Sequence, residues 1–313
     1  MKVFITGIAG FIGSALAAKL ISEGHEVAGI DNLFTGIGSN VPDKAQWVVG
    51  DIINEKDFEH LSSGYDVVVH TAAQTSGEKS FELPLYDLDT NIKGSYNTFE
   101  FAKSSGARLL INFSSMSVYG HVTTPQAVDE KYPPNPASLY GNSKLAAEKM
   151  LTLLSNRDGL PVISFRLFNA YGPGQNFEEL KQGMISIYLA QLLQNQFDKV
   201  LVKGSLDRVR DFVFLDDIID ILMTAIIHDT PSSGVFNLST GTTTSVRELL
   251  RHLVDISGIN KKIVSKGSTP GDIQGFAGDN SLITKSFCWR PQTDIRAGLE
   301  KMINFYLGKD LNE

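Results

Sequence analysis

Cysteine is all but absent from this chain: Cys288 stands alone among 313 residues. No intrachain disulfide can form, which fits a reducing cytosol. A zinc cluster built on thiolates is excluded too. Positive charge is in short supply. Lys and Arg number 28 against 35 Asp and Glu, a net charge of −7. An acidic chain without a dense Lys/Arg run has no general field for DNA, RNA or anionic lipid, so no nucleic-acid or membrane partner is expected. Long apolar runs are missing as well, and none approaches the ~18 residues of a membrane span. Asp220 interrupts the run Ile218–Ile227, and Gly7, Gly10 and Gly13 interrupt the N-terminal stretch, which argues against a signal peptide. A cytoplasmic location is expected. His25, His121, His228 and His252 show no ligand spacing, so no metal is expected.

What the sequence does contain is an alternation of short apolar strands with helical patterns. Lys2–Ile5, Glu26–Asp31, Gln46–Val49, Asp66–His70, Arg108–Ser114 and Pro161–Phe168 read as strands. Helices are expected over Phe11–Ser22, Tyr86–Ser105 and Tyr140–Leu154. Such alternation predicts an α/β fold with a doubly wound parallel sheet and right-handed crossovers. Near Asn169 the pattern changes. Asn169–Gly174 reads as a loop, Val200–Val202 and Arg210–Leu215 as short strands. Gly183–Gln194, Val246–Ser257 and Arg296–Leu307 read as helices. The expected division is a dinucleotide-binding unit, 1–168 with about 211–242, and a smaller C-terminal α/β substrate unit, 169–210 with 243–313.

Gly7, Gly10 and Gly13 lie between the first expected strand and its helix. Glycines there let backbone approach a pyrophosphate, and the helix N-terminus offers N–H donors. A tight strand–helix turn needs glycine whatever it binds, so the loop alone is a weak signal. Asp31 ends the second strand, 18 residues after Gly13. A carboxylate there can accept hydrogen bonds from the adenosine ribose and would repel a 2′-phosphate, favouring NAD over NADP.

Tyr140 and Lys144 are spaced i, i+4, one above the other on a helix face. An ammonium beside a phenol stabilises the phenolate and lowers its pKa from ~10, making Tyr140 a candidate acid/base. The same spacing also occurs in ordinary surface contacts. Ser115 follows the apolar strand 108–113, at the strand end where open α/β sheets place ligands. Its hydroxyl can share a substrate oxygen with Tyr140, whereas Ser114 reads as a turn or supporting residue.

Taken together, the three glycines, Asp31-Asn32-Leu33, His70-Thr-Ala-Ala73, Asn91, Ser115, the Tyr140/Lys144 pair and Arg210-Asp-Phe resemble the extended short-chain dehydrogenase/reductase family. Within it the chain is similar to the NAD-dependent nucleotide-sugar epimerase/dehydratase group. The resemblance runs from end to end and implies a Rossmann-type fold. It implies cofactor contacts from Gly7, Gly10, Phe11, Ile12, Gly13, Asp31, Asn32, Asp51, Ile52, Ala72, Ala73 and Asn91, with Tyr140 and Lys144. It implies Tyr140 as acid/base, Lys144 on the nicotinamide ribose, and Ser115 on the reacting oxygen. Asn169 and Arg210 would hold a substrate diphosphate.

Two departures qualify the match. Met116 and Ser117 stand where the group's 4,6-dehydratases carry an Asp-Glu pair, which argues against dehydration. The segment Thr269-Pro-Gly-Asp272 lacks an arginine usual three residues before the Asp, and Lys266 or another residue would have to compensate. Phe276, seven residues past Thr269, would limit the sugar's C2 substituent. The resulting expectation is C4 epimerisation of a nucleotide-diphosphate hexose through a 4-keto sugar. Its alternatives are a nucleotide-linked 4-ketohexose reductase and a non-catalytic dinucleotide-binding protein. A homodimer through the helices near 86–105 and 140–155 is also expected.

Overall fold

A computed structural model describes residues 1–124, 126–177, 183–227, 233–268 and 272–308. The six expected strands form: β1 (Lys2–Thr6), β2 (Glu26–Asp31), β3 (Gln46–Val49), β4 (Val67–His70), β5 (Leu109–Ser115) and β6 (Val162–Leu167). Seven more follow among the described residues: β7 (Asn169–Tyr171), β8 (Lys199–Val202), β9 (Val209–Arg210), β10 (Phe212–Phe214), β11 (Gly234–Leu238), β12 (Thr244–Ser245) and β13 (Lys262–Ser265). The main sheet has seven strands in the order β11-β6-β5-β4-β1-β2-β3. Every pairing within it is parallel. This is a Rossmann-type doubly wound sheet.

The central strands read as unbroken apolar runs because both faces of the sheet are covered. Side chains alternate between the faces. Val3, Ile5, Val67, Val69 and Ile111 enter one core, together with Leu16, Ile218 and Leu222 from the helices Phe11–Ser22 and Leu215–Ile227. Phe4, Val68 and Leu110 enter the other, with Phe99, Leu151 and Leu154 from the helices Gly94–Ser104 and Leu139–Asp158. A third cluster lies in the C-terminal part. It joins Leu189 and Leu192 to Phe212, Phe214, Leu249, Leu253 and Leu299.

Besides elements that the sequence reading lacks, such as β11 and β13, three expected features take a different form. Asn169–Tyr171 is a strand, not loop, because β7 pairs in parallel with β10, residue 169 opposite 212. The expected strand over 210–215 is split at Asp211. β9 pairs with Thr244–Ser245, and β10 with β7. The buried Asp211 carboxylate sits at the break, accepting from the backbone of Thr240, Gly241 and Gly278. The expected helix over 86–105 is Pro84–Leu88, a wide turn Asp89–Lys93, and Gly94–Ser104. Among the described residues no helix is long and apolar enough to cross a membrane.

β11 is an edge strand, and a buried polar network secures it. Arg166 on β6 donates to both oxygens of Glu148, at 2.6 and 2.9 Å. It also donates to the Tyr119 hydroxyl, which donates to Asn237 of β11. Glu148 and Arg166 are both buried. Removing one charge would leave the other uncompensated in a dry site. Glu148→Gln is therefore expected to destabilise the fold by about 3 kcal/mol or more. Urea unfolding checks this, and an unchanged midpoint would remove the network from the account of stability.

Candidate active site

The order of the sheet reverses between β1 and β4. Ligands of open α/β sheets bind outside the strand carboxyl ends at such a point. A cleft of about 570 Å³ opens there. Gly7, Gly10, Phe11, Ile12 and Gly13 form one wall, where β1 passes into the helix Phe11–Ser22. A Cβ on Gly13 would lie 2.1 Å from the Gly7 carbonyl oxygen. Only glycine lets loop and helix close this tightly. Gly10 caps the helix without a side-chain acceptor, leaving first-turn N–H groups for an anion.

Asp31 lies beside this turn. Its carboxylate accepts from the Ala9 and Leu33 N–H groups, at 2.9 and 2.8 Å. Burial raises its pKa, and those two bonds offset part of the rise. Asn32, Ile52, Ala72 and Ala73 also line the cleft. Asp51 stands between the lining residues Gly50 and Ile52, and its half-buried carboxylate accepts from Asn32 Nδ2 at 2.9 Å. Backbone donors beside a buried carboxylate suit a dinucleotide, so the residues present fit NAD.

Tyr140, Lys144 and Ser115 meet at the next stretch of wall. Ser138 caps the helix Leu139–Asp158, accepting from the Gly141 N–H at 3.0 Å. A Cβ on Gly141 would lie 2.5 Å from the Ser117 carbonyl oxygen. The first helical turn thus rides directly on the turn after β5, which brings Tyr140 to Ser115. Ser114 lines the cleft as well, with its hydroxyl buried.

The electrostatics here differ from the sequence reading. Burial pushes the Tyr140 phenol up to about 12; the Ser115 hydrogen bond opposes the rise and the Asp87 carboxylate adds to it. Lys144 is not among the groups that set this value. Its own pKa falls to about 8 through burial, against the pull of Asp87 and Glu148. Asp87, fully buried, was not singled out from sequence. It sits in the short helix Pro84–Leu88 and accepts from Gln74 and Asn91.

Asn91 also departs from expectation. It does not line the cleft but braces the layer behind, bonding Gln74 and Ser143. Ser143 in turn donates to the Tyr140 carbonyl. His70 is a buried structural residue between Thr6 and Ser95, and burial lowers its pKa to about 3.

At the far end of the cleft lie Asn169 and Arg210. Asn169 Nδ2 donates to the Asp211 carbonyl at 2.9 Å. Arg210 pairs with Asp272 at 2.6 Å, while Asp207 pairs with Arg247 on the surface. Arg208, not identified from sequence, joins Arg210 in the wall and also pairs with Asp272. Phe276 is not in the wall; it packs edge-on against Tyr119 and Phe168. Thr269 lies outside the described residues. Among the described residues no cluster of His, Cys, Asp or Glu is placed to hold a metal.

A parallel sheet with this switch point, glycine turn and Tyr–Lys–Ser group defines a dinucleotide-dependent α/β enzyme. The chain belongs to the NAD dependent epimerase/dehydratase family, which it matches over residues 3–239. It is 33% identical to a UDP-glucose 4-epimerase of Mycolicibacterium smegmatis, covering 99% of each chain. It resembles the structure of a UDP-glucose 4-epimerase of Thermotoga maritima with UDP-glucose (30% identity, TM-score 0.93, 98% of this chain and 99% of that one). A Thermus thermophilus UDP-glucose 4-epimerase in complex with NAD is similar at 29% identity and TM-score 0.89, again over 98% and 99% of the two chains.

Lys144 supplies a pH test. Between about 8 and its ordinary 10.5 the unfolded chain holds a proton that the folded chain has lost. Its contribution to stability therefore rises with pH through that window. The stability difference between the parent protein and Lys144→Met should shift in the parent's favour from pH 8 to 10.5. A difference that stays flat in urea titrations would show that Lys144 is not held down by burial.

Proposed function

We propose that this protein interconverts nucleotide-diphosphate hexoses by NAD-dependent epimerisation at C4, through a transient 4-keto sugar. One observation carries the reading. A single cleft holds a dinucleotide-type glycine turn, a Tyr–Lys–Ser group at its middle and paired guanidiniums at its far end. The names of the similar enzymes support it.

A bound NAD would supply a reversible hydride acceptor for C4 of the sugar. Tyr140 would take the 4-OH proton and later give it back, with Ser115 sharing the sugar oxygen. Tyr140 keeps its proton in the protein alone, so its use as a base waits on positive charge brought into the cleft. Lys144 would bind the cofactor ribose beside it. Asp31 would hold the adenosine ribose, and the N–H groups of residues 10–13 the pyrophosphate. Asn169 and Arg210 would hold the substrate diphosphate. The cycle has no net redox change, so cofactor can stay bound throughout. Met116 and Ser117 follow β5, and neither supplies the acid or base that dehydration needs.

The test begins with protein purified without added cofactor. Denaturation should release NAD, and native protein should interconvert UDP-glucose and UDP-galactose, followed by NMR. Tyr140→Phe should retain NAD while turnover falls roughly 10²–10⁴-fold. Turnover of a keto-sugar only with added reduced cofactor would replace the epimerase reading with a reductase.

We further infer a homodimer in the cytoplasm. Leu85, Leu88, Tyr96 and Leu153 are exposed on the helices Pro84–Leu88, Gly94–Ser104 and Leu139–Asp158, Leu85 and Leu153 at 74% and 70%. A second copy pairing these helices would cover them. The unpaired, exposed Cys288 fits a reducing compartment. Leu85→Glu with Leu153→Glu should halve the solution mass in light scattering. An unchanged mass would place the interface elsewhere.

A further inference from the structure

Arg208 has no role in the mechanism described so far, yet it is built into the cleft with care. It is 6% exposed, as is Arg210, and both line the far wall. Arg208 stands just before β9 and Arg210 ends it, and both side chains reach the same wall. Gly204 lies beneath Arg208 with φ +100°, and a Cβ there would come 2.9 Å from the guanidinium carbon. The Ser205 carbonyl accepts from Arg208 Nε at 3.0 Å. The Asp272 carboxylate gives one oxygen to each guanidinium. Tyr188, also in the wall, hydrogen-bonds Arg208.

Among the described residues the charges at this end do not cancel. Two guanidiniums pair with one carboxylate there, a surplus of one positive charge in a nearly buried place. Lys203 also lines this wall but is matched by Glu78 at 3.0 Å. Asp207 is turned away to Arg247. The strain is visible in Arg210, whose pKa is lowered to about 10 by burial and then by the charge of Arg208. A purely structural ion cluster buried this deeply favours a balanced count. An unbalanced one that opens onto a cavity is set up for an anion, and guanidiniums suit the paired oxygens of a phosphate.

We propose that Arg208 is a second diphosphate-binding residue, which with Arg210 forms a two-guanidinium clamp held open by Asp272. The proposal rests on the nucleotide-diphosphate reading of the cleft. It answers the missing arginine near Thr269 from a different element. Lys266, the other candidate, is exposed and does not line the cleft. Asp272 keeps the two cations side by side despite their repulsion, so the clamp exists before ligand arrives.

The test is calorimetric titration of the full-length protein, with its native cofactor content, using UDP and uridine as probes. Arg208→Gln should weaken UDP binding roughly ten- to hundred-fold, the range of a lost charge-assisted hydrogen bond. Uridine, which carries no phosphate, should bind the variant as it binds the parent. Arg208→Lys keeps the charge and loses the planar fork, so it should fall between the two. Equal UDP affinity in the parent and either variant overturns the role of Arg208 while leaving the epimerase reading intact. Equal losses for UDP and uridine overturn it too, since the residue would then only support the fold. A parent protein that binds no UDP overturns the nucleotide-diphosphate reading itself. Should Arg208→Gln fail to fold, Arg208→Lys decides the question by the same comparison.

Discussion

A parallel sheet buried on both faces has one place left for chemistry, its carboxyl edge. The backbone there has run out of strand partners, and the helices that cover the faces have not yet begun. In this protein β1 and β4 part company at that edge, and the chain turns away from it on either side. The glycine turn after β1, Ala72 and Ala73 after β4, and Ser115 at the end of β5 all reach the same cleft for this reason. Tyr140 and Lys144 depend on it at one remove. Their helix is located by the contact of Gly141 with the turn after β5, so a shift of that strand end would carry both away.

The same geometry concentrates charge. The chain as a whole is acidic at −7, yet its cleft is lined by Lys144, Arg208 and Arg210. Each cation is near a buried or half-buried carboxylate, Asp87 for the first and Asp272 for the other two. A lone buried ammonium or guanidinium would be costly, and full neutralisation would remove the attraction for an anionic ligand. The arrangement lies between these limits. The chain is thus acidic overall while its cleft keeps a local positive field, which suits an anionic ligand.

Much of this was legible in the sequence because its signals are local. The glycine turn, Asp31 at the strand end and the i, i+4 pair Tyr140 and Lys144 each lie within one element or one junction. So do the six apolar strands and the helix Val246–Ser257, which begins and ends at the expected residues. What escaped depends on partners far along the chain. Asn169–Tyr171 carries glycine and proline just beyond it and reads as loop until β10 is laid beside it. β11 is a five-residue edge strand with a single neighbour, so its own pattern is weak.

The site residues divide along the same line. Asn91 has the chemistry of a cofactor ligand. Whether such a side chain faces a cavity or the layer behind it depends on neighbours that no spacing rule describes. Asn91 is turned inward because Gln74 and Ser143 both bond it there. Arg208 shows the converse. Its sequence context offers only a repeated charge around Val209, which a solvated strand edge would show as readily. Its burial is decided by Asp272, more than sixty residues later, and by a glycine four residues earlier that leaves room for its guanidinium. A motif therefore identifies the residues that act through their own element, while residues that act through a distant counter-charge become visible only when the fold brings that charge to them.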